Sequence, residues 1–158
     1  MYERILVPLD GSKVGEAALP YVEELVSKLA LGTKVEVTLL QVISSLAHYI
    51  VAGEASAPIP YTEKEIEQIK KKAMDYLNKA GEGLRNKGAI VKTEVVTGRA
   101  AEQIIKVTEE IKADLVAMST HGRAGLSRWA FGSVTDKLLR AGNVPILVVR
   151  APKPAAEI

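Results

Sequence analysis

The sequence contains no cysteine. That excludes disulfide frameworks, thiolate metal sites and thiol nucleophiles, and it fits a reducing compartment. Aromatic residues make up only 4% of 158 positions, too few for the stacked aromatic loops expected of an FMN-binding flavodoxin. Charge is nearly balanced, since 21 basic and 19 acidic residues leave a net of +2, too little to draw nucleic acid. The run Lys70-Lys71-Lys72 lies among Glu63, Glu65, Glu67 and Asp75 and reads as a solvated helix face. No apolar run nears the ~20 residues that span a bilayer. Met1-Tyr2-Glu3-Arg4-Ile5 enters a strand directly, without the parts of a secretory signal. A cytoplasmic protein without membrane or nucleic-acid partners is expected. There is also no Walker A sequence, so the common phosphate loop of nucleotide hydrolases is missing.

What is present is apolar and periodic. Hydrophobic residues are 47% of the chain, enough for a core, and no shift in composition divides it. One domain over residues 1–150 is expected, with 151–158 as a tail. Ile5 to Leu9 lacks polar alternation and reads as a strand buried on both faces, ended by Pro8 and Asp10-Gly11-Ser12. Ser12 can cap a helix carrying Ala18, Val22, Leu25, Val26 and Leu29, with Pro20 expected to kink it. Val35 to Val42 is the second strand. Ser44 to Tyr61, with Gly53, Pro58 and Pro60, reads as a long connection.

Thr62 and Glu65 form a capping box for a helix whose stripe runs Ile66, Ile69, Ala73, Leu77, Ala80 and Leu84, stopped by Gly88. Ile90 to Val96 is the third strand, and Gly98 opens a helix along Ala101, Ile104, Ile105 and Thr108. Leu115 to Met118 is the fourth strand, Val134 to Ala141 a helix, and Val144 to Val149 the fifth strand. The alternation predicts an α/β fold, an open doubly wound five-stranded parallel sheet with helices on both faces. Ligands of such sheets bind beyond the carboxyl ends of the strands, where strand order reverses.

The loop from Ser119 to Thr135 carries the chemistry. Gly122 and Gly132 let backbone approach a ligand closely. Ser133 offers a helix cap and a hydroxyl, and the amides of Val134 and Thr135 point out of a helix N-terminus that favours an anion. Gly122, nine residues, Gly132 and Ser133 have the spacing of the universal stress protein family's nucleotide-binding members, in which a further glycine stands three residues earlier. Ser119 occupies that place here. The chain also resembles the family at Ile5 to Ser12, at Gly98-Arg99-Ala100 and at Val144 to Val149.

The resemblance implies a Rossmann-like fold of the adenine nucleotide alpha hydrolase type. It implies that Pro8 and Asp10 line an adenosine pocket and that the Val42 backbone meets adenine. Gly122, Gly132, Ser133, Val134 and Thr135 would hold the phosphates of ATP, with Mg²⁺ carried on them. It further implies a homodimer joined through the fifth strands, which suits an apolar edge strand.

Plainer roles stand beside these. Asp10 before Gly11 is common turn chemistry, although the end of the first strand is also the switch point. His121 has no carboxylate or nucleophile at a catalytic spacing and reads as a loop-orienting residue. Arg123 and Arg128 are open between neutralising phosphate and facing solvent. Trp129 and Phe131 read as packing anchors, Met118 as core, and His48 carries no signal. Three functions remain: an ATP-binding regulatory or stress-response module, a slow ATPase or autophosphorylating enzyme using the same pocket, and a nucleotide-free dimeric scaffold. A phosphoacceptor regulator fits poorly, because the third strand exits through Thr97-Gly98 rather than an aspartate.

Overall fold

The structure, a computed structural model, describes residues 2–29, 31–44, 47–52, 55–120 and 133–151, and the side chains from 47 to 58 lie outside that description. The central strand is β1 (Arg4–Pro8), in which Ile5, Leu6 and Val7 are wholly buried. It pairs in parallel with β2 (Glu36–Ile43) on one side and β6 (Leu115–Thr120) on the other. With β5 (Ile90–Thr97) beyond β2 and β7 (Ile146–Arg150) beyond β6, the sheet order is β5-β2-β1-β6-β7. The fold is therefore the doubly wound parallel sheet expected from the alternation. Strand order reverses between β1 and β6.

Period-two alternation sends neighbouring residues of each strand to opposite faces. Ile5, Val7, Val37, Leu39 and Ala117 join one core cluster, with Val22 and Val26 of α1 (Leu19–Leu29), Leu77 of α2 (Glu63–Ala80) and Leu84 of α3 (Glu82–Asn86). Leu6, Leu40, Val116 and Met118 join the other, with Ile104 and Val107 of α4 (Ala100–Glu110) and Leu138 of α5 (Ser133–Ala141). A strand buried on both faces has no polar side to alternate with, which is why these runs are continuously apolar. Asp114 ties two strand starts together, its Oδ2 accepting from the amides of Glu3 at 2.9 Å and Arg4 at 3.2 Å.

The predicted elements depart from the structure in four places. Pro20 does not kink a helix. It is the second residue of α1, where its missing N–H costs nothing, and a 3₁₀ turn (Val14–Ala18) precedes it. The helix predicted through to Gly88 breaks at Gly81, where α2 ends and α3 begins. A Cβ at Gly81 would stand 2.8 Å from Val91 Cγ1, so the glycine is there for space. Gly88, at φ +95°, closes the segment as expected.

Ser44 to Tyr61 is not simply a connection. It contains an antiparallel pair, β3 (Ala47–Ala52) and β4 (Ala55–Pro60), in register from Ala47 with Pro60 to Ala52 with Ala55. Pro58 and Pro60 are tolerated because a two-stranded ribbon consists only of edge strands. Finally, the last strand begins at Ile146 rather than Val144, because Pro145 has no N–H for the ladder.

Candidate functional site

At the carboxyl ends of β1 and β6 lies a cavity of about 240 Å³. Its lining comes from the end of β1 and the segment after it (Pro8, Asp10, Gly15), from β2 (Leu40, Val42), from α4 (Ile104), from the end of β6 (Met118, Ser119) and from the start of α5 (Ser133, Val134, Thr135). Topology dictates the place. The chain leaves β1 and β6 toward opposite faces, and the crevice opens between the two departures. Leu40, Val42, Ile104 and Met118 give the cavity an apolar wall suited to a flat ring. Asp10, Ser119 and Ser133 give it a polar rim.

The loop after β1 is tightly organised. Gly11 takes φ +87°, the left-handed region that favours glycine. Asp10 Oδ1 accepts from the Ser12 amide at 2.9 Å and from the Ser12 hydroxyl. Ser12 Oγ in turn accepts from the Gly15 amide at 3.0 Å. The turn role weighed for Asp10 is thus present, on a residue that also lines the cavity. Ser12 serves the 3₁₀ turn rather than capping α1.

Ser119 lies in β6 paired with Val149. Among the described non-glycine residues only Lys112 has a positive φ, so serine sits at the glycine position of the family pattern without backbone strain. Its hydroxyl accepts from the Ala18 amide at 2.9 Å and donates to the Gly15 carbonyl at 2.9 Å. The single proton and a lone pair are both engaged.

Behind the loop stands Tyr76 of α2, whose hydroxyl is buried and has no hydrogen-bond partner. Burial chiefly, then the nearby carboxylates of Glu16 and Asp10, push its ionisation well above the ordinary phenol range. The group stays a neutral phenol at physiological pH.

Of the predicted site residues, Pro8, Asp10, Val42, Ser133, Val134 and Thr135 all line this one cavity. Ser133 is exposed and is the first residue of α5, whereas Thr135 is buried at 2% exposure. Gly122 and Gly132 lie outside the described residues, as do His121, Arg123, Arg128, Trp129 and Phe131. Met118, read as core, is both core and cavity wall. Sequence reasoning missed Gly15, Leu40 and Ile104. The buried-strand pattern marks Leu40 as apolar without saying that it borders a crevice, and Gly15 looks like any other glycine near a helix start.

A wider hollow of about 420 Å³ lies at the opposite end of the sheet, lined by Tyr2, Tyr21, Leu115, Pro145 and Leu147. Its charged residues, Glu24 and Lys28, are paired with each other at 2.7 Å.

The Universal stress protein family model matches residues 1–150. Universal stress protein MJ0577 of Methanocaldococcus jannaschii is 30% identical over 159 residues, covering 95% of this chain and 96% of that protein. Two solved structures share the fold. A universal stress protein in complex with cAMP superposes with a TM-score of 0.65 at 17% identity, covering 96% of this chain and 98% of that one. The universal stress protein from Archaeoglobus fulgidus in complex with dAMP gives 0.61 at 17% identity, covering 94% and 98%. With the family model spanning nearly its whole length, the chain belongs to the universal stress protein family.

Proposed function

We propose that this protein binds an adenine nucleotide, ATP with Mg²⁺ carried on its phosphates, and acts as a nucleotide-dependent regulatory or stress-response module. The observation that carries this is convergence: Pro8, Asp10, Val42, Ser133, Val134 and Thr135, singled out from sequence, meet around one cavity at the switch point. The base would lie against Leu40, Val42, Ile104 and Met118, with Asp10 accepting from ribose or adenine. The phosphates would meet the exposed amide donors at the start of α5, with Gly122 and Gly132 completing their cradle. The complexes of related folds with cAMP and dAMP support an adenine nucleotide as the ligand class.

A regulatory role is favoured over efficient turnover. Phosphoryl transfer wants a positioned Lys or Arg, a metal-holding residue and a base or water-positioner, and the sequence carries no Walker A loop. In the second reading, a slow autophosphorylation would fall on Ser133, exposed at the rim, or on a neighbour. We further propose a cytoplasmic homodimer, one domain over residues 1–150 with a tail at 151–158. The β7 strands would pair across the dimer, because β7 is an edge of the sheet whose Ile146, Leu147 and Val148 are only half-buried.

Mass spectrometry of the nucleotide released on denaturing purified protein tests the central claim, together with titration of Mg·ATP into wild type and Gly132→Val. Recovery of ATP, and loss of binding in the variant, is the expected result. A protein that ignores millimolar ATP would leave the dimeric scaffold as its function. Rapid metal-dependent hydrolysis abolished by Gly132→Val would make it an enzyme.

A further inference from the structure

Four hydrogen bonds run in one direction through the wall of the cavity. The Ala18 amide donates to Ser119 Oγ at 2.9 Å, and the Ser119 hydroxyl donates to the Gly15 carbonyl at 2.9 Å. The Gly15 amide donates to Ser12 Oγ at 3.0 Å, and the Ser12 hydroxyl donates to Asp10 Oδ1. Each hydroxyl gives its one proton forward and receives one from behind, so both are committed. The two pairs of bonds meet at Gly15 through successive peptide groups, so that residue joins them mechanically. The two ends differ in kind. One is Ala18, wholly buried, the last residue of the 3₁₀ turn that leads into α1. The other is the carboxylate at the cavity rim.

We propose that Ser119 is a positioning residue of the nucleotide site, strapping the loop after β1 to the end of β6 and so fixing the carboxylate of Asp10 where the ligand meets it. The inference rests on the nucleotide reading above and adds a residue that acts without touching the ligand. Ser119 lines the cavity, but its proton is spent on Gly15, so it has no donor to offer a phosphate while the strap is closed. A glycine at this position could supply neither bond. The Gly15 carbonyl and the Ala18 amide would then have to find water or each other, and the loop bearing Asp10 would lose its tie to the neighbouring strand.

The strap joins the two loops that diverge at the switch point. β1 and β6 are adjacent through only two registered pairs, Ile5 with Leu115 and Leu6 with Val116. Toward their carboxyl ends, where the ligand is proposed to sit, Ser119 supplies a cross-connection that the ladder does not.

The test is a double-mutant cycle read as Mg·ATP affinity, using Ser119→Ala, Ser12→Ala and both together in the full chain. Each single change frees one of the two anchors of Gly15 and should raise Kd roughly three- to tenfold, the scale of one net hydrogen bond. The double variant should bind no worse than about the weaker-binding single, because a loop already loosened at Gly15 no longer holds Asp10 in place. Amide exchange at Gly15 and Ala18 should quicken in Ser119→Ala while the remainder of β6 stays protected. A purely structural serine would lower the unfolding temperature and leave the Kd of the folded chain unchanged, which overturns the proposal. Multiplying losses in the double variant, or unaltered exchange at both amides, overturn it equally. A wild-type chain that takes up no Mg·ATP overturns the nucleotide reading first and this inference with it.

Discussion

Asp10 Oδ1 stands 2.5 Å from the point where a Cβ on Gly15 would project, closer than any side chain can approach. Gly15 is not in a left-handed conformation, so its glycine answers a need for space beside the carboxylate. Gly15→Ala should therefore turn Asp10 aside or shift the loop. We expect at least a tenfold loss of Mg·ATP affinity and a stability loss of about 1–3 kcal/mol from overpacking. Calorimetric titration and denaturant unfolding measure the two separately. Unchanged affinity would mean that Asp10 has no part in binding.

Tyr76 buries a hydroxyl that no partner meets in good hydrogen-bond geometry, so most of its desolvation goes uncompensated. Tyr76→Phe should be neutral at pH 7 or stabilising by up to ~1 kcal/mol. The pH dependence follows from the raised phenol. Unfolded chains lose this proton near the ordinary value of 10.0, whereas the folded protein holds it to higher pH. Above pH 10 the unfolded state thus binds fewer protons than the native one, and stability falls as pH rises. Tyr76→Phe should flatten that alkaline decline in urea melts between pH 9 and about 11. An unaltered slope would put the titrating group elsewhere.

Thr62 closes a complete capping box, its hydroxyl accepting from the Glu65 amide at 3.2 Å while Glu65 Oε1 accepts from the Thr62 amide at 3.2 Å. Thr62→Ala should cost about 1 kcal/mol of stability. Nucleotide affinity should not move, because neither residue lines the cavity. The variant is the control for stability losses that leave the site intact.

Val148 is half-buried on the β7 edge and belongs to neither core cluster. If β7 strands pair between copies, Val148→Lys should convert the dimer to monomer with little change in the fold. Sedimentation velocity reads the outcome, and far-ultraviolet circular dichroism checks the fold. A wild type that sediments as a monomer removes the dimer.

Much of the fold is legible in the sequence because burial on both faces leaves continuous runs such as Ile5-Leu6-Val7, and no surface helix or loop looks like that. Helix starts with side-chain caps are equally plain, Thr62 above all. What escapes the sequence depends on neighbours distant in the chain. Gly81, where the helix breaks, is glycine because Val91 leaves no room for a side chain, and nothing near Gly81 in sequence announces Val91. The strands β3 and β4 are hidden by their prolines, which normally mark a loop and here sit in a ribbon made only of edges. In the site, Asp10 and Ser133 are visible through turn and cap chemistry. Ser119 is visible only as a departure from a pattern, since its partners Gly15 and Ala18 lie 104 and 101 residues away.

That separation bears on when the cavity can exist. Its walls come from residues 8–15, 40–42, 100–104, 118–120 and 133–135, so no contiguous half of the chain contains them all. A nascent chain that has emerged only through β5 can pair β2 with β1 and β5, yet it lacks β6, the strap and the start of α5. Binding energy is therefore available only to a nearly complete chain. A ligand held there would slow unfolding of the finished protein without hastening the early steps of folding, acting as a latch on the last strands to arrive.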